Sequence, residues 1–201
     1  MTATFASAAR SFAGLVRQIP VAAWDGPGLG EWDLRALVGH ASRSLITVST
    51  YLKTSARRED IATPAEYYVR VTPSALGIDP ADVAERGRQA GRDLGADPAA
   101  TIDALMSRVL AEVANAGNPL IQVIGGLGIR LDTYLPTRTF ELAVHSLDIA
   151  EVLNIRHVLP RDVLDEAVGL ATRTAVATGH GETVLLALTG RTILPPSFSV
   201  V

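Results

Sequence analysis

The sequence predicts a mainly α protein, an antiparallel bundle of about four long helices with a small α/β appendage at its C-terminus. Apolar residues recur at helical spacing over several long stretches, and prolines and glycines punctuate those stretches. Hydrophobic residues make up 48% of the chain and charged ones 19%, the balance of a folded globular protein. Only the tail alternates in the manner of strands. At 201 residues the chain is long enough to bury a substantial core.

Residues 1–17 are rich in Ala, Ser and Thr, carry Arg10 and Arg17 and have no acid, a superficial likeness to an organelle transit peptide. Phe5, Phe12, Leu15, Val16 and Ile19 nevertheless share one face, which assigns the segment to a first core helix. Pro20, Gly26, Pro27, Gly28 and Gly30 then make a turn-rich connection. Asp33 is placed to cap a second helix, with Trp32 stapled onto Leu37. Its apolar face runs through Leu34, Leu37, Val38, Ala41, Leu45, Val48 and Leu52, and His40 stands at the border.

Residues 54–80 form a long polar connection broken by Pro64, Pro73 and Pro80, with room for a short helix around residues 64–71. A loop of this length in a compact domain is often functional, and this one is expected to line a site. Residues 82–94 read as an exposed, charged helix, and Asp93 or Asp97 marks the break before Pro98. Ile102, Leu105, Met106, Val109, Leu110 and Val113 keep helical period to about Asn115. Gly117, Pro119, Gly125, Gly126 and Gly128 interrupt it, and residues 120–124 suit a short extended piece. A helix over residues 131–152 follows. Pro160 introduces a last helix near residues 161–177, and residues 184–188 with Ile193 suggest a small hairpin turning at Thr189, Gly190 and Arg191. Residues 1–157 are therefore expected to form the bundle and 158–201 the appendage.

The net charge of −3 and a pI near 5.8 give no electrostatic footprint for nucleic acid. No run approaches the ~20 apolar residues of a membrane span, and the N-terminus lacks the pattern of a secretory signal, so a cytoplasmic protein without a membrane partner is expected. With no cysteine there is no disulfide, no thiolate metal site and no cysteine nucleophile. Any sulfur chemistry must use an external thiol.

The helix over residues 131–152 carries Glu141 and His145 one turn apart, on the arc that also holds Leu135, Leu142, Ile149 and Val152. Burying a neutral polar group without a partner costs roughly 2 to 7 kcal/mol, and an ion costs more, so a compensating metal is the leading explanation. Sites in bundles are built from facing helices, and His40 offers a third donor from another helix. Three such ligands leave one position open for water or substrate, the pattern of catalytic zinc. Arg138 and Asp148 extend the stripe. Asp148 could bond the second ring nitrogen of His145, and Arg138 could orient Glu141 or pair with a substrate carboxylate. Trp24 and Trp32 read as core and staple rather than pocket wall, and His157 and His180 as solvated. Gly125, Gly126 and Gly128 lack the strand and helix of a dinucleotide loop.

The segment Gly-Glu-Trp-Asp-Leu-Arg-Ala-Leu-Val-Gly-His ending at His40 resembles the second-helix motif of the mycothiol-dependent maleylpyruvate isomerase family, a branch of the DinB-like metal-binding bundles. Arg138-Thr-Phe-Glu-Leu-Ala-Val-His-Ser-Leu-Asp148 resembles that family's second motif. The two occur in order, the likeness extends over about residues 5–153, and Leu188-Thr-Gly-Arg191 is similar to the endings of actinobacterial members. The resemblance implies a DinB-like four-helix bundle holding a divalent metal, zinc foremost, on His40, Glu141 and His145. It further implies mycothiol as thiol cosubstrate and a small electrophilic substrate, in an S-transferase or a cis-trans isomerase. Fuller members carry a longer C-terminal domain than residues 160–201, which leaves the substrate open. The alternative is a non-catalytic metal-binding or regulatory bundle.

Overall fold

The computed structural model of the protein describes residues 2–72, 75–77 and 79–201. Four helices close a ring: α1 (Thr2–Val16), α2 (Leu34–Tyr51), α5 (Pro98–Ala116) and α6 (Leu131–Val152), in which α1 and α2 each pack on both α5 and α6. Between them in sequence lie the short α3 (Pro64–Arg70) and α4 (Pro80–Asp93), and α7 (Arg161–Ala177) and α8 (Gly181–Leu188) follow. The expected apolar faces are the ones that meet. Phe5, Phe12, Leu37, Leu45, Ile102, Val109, Leu135 and Leu142 are all fully buried, each worth about 1.5–3 kcal/mol relative to exposure. Pro73 of the long connection lies outside the described residues.

Capping sets where the helices begin. Asp33 accepts a hydrogen bond from the Ala36 amide at 2.7 Å to open α2, and Asp97 accepts one from Ala100 at 3.0 Å to open α5. Such a cap contributes about 1 kcal/mol. Trp32, just before the α2 cap, reaches α4, where its indole N–H donates to the Ala84 carbonyl at 3.0 Å.

The fourth helix is charged on one face only. Glu85 pairs with Arg88 at 2.8 Å and with Arg92 at 2.6 Å in solvent. The other face lies hard against α2 through Gly87, Ala90 and Gly91, all buried. A Cβ on Gly39 would stand 2.1 Å from the Gly91 amide nitrogen, and one on Gly91 would stand 2.7 Å from the Arg35 carbonyl oxygen. The expectation of a solvated helix fails because charge marks the outer face and glycine leaves no apolar signal on the inner one.

Residues 120–124 do extend. Leu120–Gln122 forms β1 and pairs antiparallel with β2 (Gly128–Arg130), Leu120 opposite Arg130. Gly125 and Gly126 turn between them with φ of 76° and 75°, a region only glycine enters freely. Ile129 also bridges Ile61, which ties the long connection to the sheet.

The hairpin expected in the tail is replaced by helix α8. Its run Val184-Leu185-Leu186-Ala187-Leu188 is too short for apolar pattern to separate strand from helix, and Leu and Ala favour helix. The preceding α7 keeps its predicted bounds, and it packs on α6, α3 and α1 with Val163 and Leu170 fully buried. Among the described residues no helix is long and apolar enough to cross a membrane.

Candidate functional site

Bundle geometry brings the two distant sequence motifs together. The ring of His40 on α2 meets that of His145 on α6 edge to face, with centroids 4.9 Å apart. On its other side His40 lies against Trp32, 4.5 Å away. Gly87 makes room for that indole, since a Cβ there would stand 2.8 Å from the Trp32 ring. The Nδ1 atom of His40 is buried and has no hydrogen-bond partner. Burial first, and then the charge on His145, lower the His40 pKa to about 4, so its imidazole is neutral at pH 7 with a lone pair to give.

Glu141 and His145 are held from both sides. His145 Nε2 lies 3.5 Å from one Glu141 oxygen, and its Nδ1 lies 3.0 Å from Asp148. The other Glu141 oxygen accepts a hydrogen bond from the Tyr68 hydroxyl at 2.8 Å. Burial opposes charge on His145, but the hydrogen bonds with Asp148 and Glu141 outweigh it and push the pKa up to about 9. Burial likewise works against the Glu141 carboxylate, and His145, Arg138 and Tyr68 together overcome it, bringing the pKa down to about 2. In the metal-free protein the two are thus an ion pair. Among the described residues no group of three or more His, Cys, Asp or Glu side chains is arranged to hold a metal ion as it stands.

Arg138 lies against two aromatic rings that themselves touch, 5.2 Å from the centre of the Tyr67 ring and 5.0 Å from that of Tyr134. Its Nε donates to the Thr137 hydroxyl at 3.0 Å. Contact with two ring faces helps keep the planar guanidinium in place. Tyr134 is fully buried, and its hydroxyl donates to Thr47 at 2.9 Å, which fixes that ring.

These groups open onto one cavity of about 270 Å³. His40, Arg138 and Glu141 line it, together with Arg43 and Thr47 of α2, Tyr67 and Tyr68 of α3 and Arg86 of α4. The long connection therefore contributes to the wall, through the α3 tyrosines and through Val71, Thr72 and Leu76 beyond them. Sequence reasoning named the connection but not Tyr67, Tyr68, Arg43 or Arg86. The signal for the tyrosines was two adjacent aromatics in a segment too polar to be core.

Other singled-out residues stay away from the site. Trp24 is a core residue, with Arg35 stacked 5.4 Å over its ring. His157 Nε2 lies 3.3 Å from the Ser11 hydroxyl, and His180 packs edge-on against Phe198 with centroids 5.6 Å apart. Neither histidine is near the other donors described. The glycine cluster serves the turn between the two strands.

No curated protein and no solved structure matches the chain. A family model does: the mycothiol maleylpyruvate isomerase N-terminal domain, over residues 5–150, which includes both motifs and all of the ring but the first residues of α1 and the last of α6. Since the match spans most of the chain, the protein belongs to the mycothiol maleylpyruvate isomerase N-terminal domain family.

Proposed function

We propose that His40, Glu141 and His145 hold a divalent metal, zinc foremost, and that the protein uses it with mycothiol in an S-transfer or cis-trans isomerisation reaction. The observation that carries this reading is the neutral, unpartnered Nδ1 of His40, buried beside a Glu141–His145 pair that other side chains already orient. A buried nitrogen without a partner is costly, and a cation repays it. The donor set, two imidazoles and a carboxylate, is the one that leaves catalytic zinc an open position. Holding the ion requires the Glu141–His145 contact to yield.

A bound divalent metal would supply the deprotonation of a coordinated thiol, because the thiolate is the nucleophile and a coordinated thiol loses its proton outright. The side chains do the rest. Asp148 keeps the His145 ring in the orientation that turns Nε2 toward Glu141, and Tyr68 fixes the carboxylate from the opposite side. Trp32 backs His40, and Tyr67 and Tyr134 keep Arg138 charged and in place beside the electrophile. A transferase would keep the sulfur adduct. An isomerase would add the thiolate to a cis double bond, allow rotation about the resulting single bond, and expel the thiolate to leave the trans product.

Elemental analysis of the purified protein and of His40→Ala, Glu141→Ala and His145→Ala tests the metal. About one equivalent of zinc in the parent and little in each variant is expected. Equal metal in all four, or none in the parent after growth with zinc, would remove the reading. Turnover across a panel of electrophiles with mycothiol then separates catalysis from simple metal binding.

A further inference from the structure

The cavity holds more positive charge than its own residues neutralise. Arg43 on α2 and Arg86 on α4 both line it. Among the described residues Arg43 has neither an ion pair nor a side-chain hydrogen bond, and the contact of Arg86 is from Nε to the Asp82 backbone carbonyl at 3.1 Å. The carboxylate that shares the cavity, Glu141, is already engaged by Tyr68 and His145. Glu85, beside Arg86 in sequence, is taken by Arg88 and Arg92.

The fold forces these two cations into one space. The helices touch at Gly39 and Gly91, where any Cβ would collide with backbone. Arg43 follows Gly39 by about one turn on α2, and Arg86 precedes Gly91 by a little more than a turn on α4. Bringing the backbones together at that crossing therefore brings both guanidiniums to the same wall. Burial, and next the Arg86 charge, hold the Arg43 guanidinium below its ordinary value. Two like charges placed so, with every guanidinium donor but Arg86 Nε unspent, describe a receptor for an anion.

We infer that Arg43 and Arg86 bind an anionic oxygen group, a carboxylate or a phosphate, of a small ligand that occupies this cavity. The inference rests on the cavity being the ligand site proposed above, but it does not need the metal. The volume, about 270 Å³, limits the ligand to a small molecule.

Titration calorimetry tests this on the protein as purified and again after treatment with EDTA. The probes are succinate, its neutral dimethyl ester and inorganic phosphate. One of the two anions is expected to bind in both preparations, and the ester is expected not to. Arg43→Gln and Arg86→Gln should each weaken the anion about tenfold or more, with zinc content unchanged. The anion should also raise the melting temperature of the parent and fail to do so in those variants. Should Arg43→Gln not fold, Arg43→Lys and Arg86→Gln carry the comparison. Succinate binding above phosphate assigns a carboxylate, and the reverse assigns a phosphate. Binding of neither anion, binding in both glutamine variants as tight as in the parent, or binding abolished by EDTA alone would overturn the inference. The metal reading fails separately, by zinc persisting in His40→Ala.

Discussion

The α6 and α8 helices invert each other. On α6 an arginine, a glutamate and a histidine point inward, and the His145 and Glu141 side chains keep only 13% and 24% of their exposure. On α8 no residue is buried, and Leu185 and Leu188 remain 61% and 71% exposed. A more hydrophobic helix thus lies outside and a less hydrophobic one at the centre. The difference lies in what surrounds each. The ring helices α1 and α2, with α3 and α7, close around α6; Tyr68 of α3 bonds Glu141, while Asp148 and Thr137 of α6 itself bond His145 and Arg138. Only α7 gives α8 substantial contact. Amphipathic pattern tells which face of a helix turns inward, but not whether anything waits there.

The contrast can be broken most forcefully on α7, which serves both regions. Leu170→Ala should cost about 2–5 kcal/mol in urea melts, because Leu170 is fully buried against the bundle. A loss below about 1 kcal/mol would mean that α7 is peripheral like α8. Next in size is Tyr68→Phe, which removes a hydrogen bond to a charged carboxylate. Such bonds are worth about 1.5–3 kcal/mol, and under the metal reading its loss should weaken zinc about 10- to 100-fold. Zinc affinity unchanged in a well-folded Tyr68→Phe protein would show that the tyrosine only packs.

Titration sharpens the same point. In metal-free protein the His145 pKa is raised from 6.5 to about 9, so its contribution to stability is complete below pH 6.5 and disappears as the pH climbs through 9. The stability difference between the parent and His145→Gln should shrink over that window. A difference that grows or stays constant between pH 6 and 10 would contradict the ion pair. His40 works the other way: its folded pKa near 4 means that stability falls as the pH drops from 6.5 toward 4. The smallest effect belongs to the outer helix. Leu185→Ser should change stability by no more than about 0.5 kcal/mol, as exposed positions do, and a larger loss in melts would reveal a covered surface on α8.

Much of this arrangement is legible in the chain because it is local. The stripe on α6, the Asp33 cap and the bounds of α7 follow from spacing alone. Spacing put Glu141 and His145 in one apolar stripe and His40 at the border of another, but joining the three as a set rested on the resemblance of the two motifs to a known family. Tyr68 was not legible, since its partner lies 73 residues away and nothing near it in sequence announces a carboxylate. Arg43 and Arg86 were hidden for a related reason. Charged residues on helices normally face water, and only the α2–α4 crossing turns these two into a wall. The α8 run was misread as strand because a handful of apolar residues carries no period.

That crossing has a consequence for the whole site. Gly39 is the neighbour of His40, so the width of the cavity is set by two side chains that do not exist. The smallest change available to either position, one added carbon, would act as a shim between α2 and α4 and widen the chamber at the residue next to a candidate ligand. The gauge of the chamber is written in hydrogen atoms, where no catalytic group would be sought.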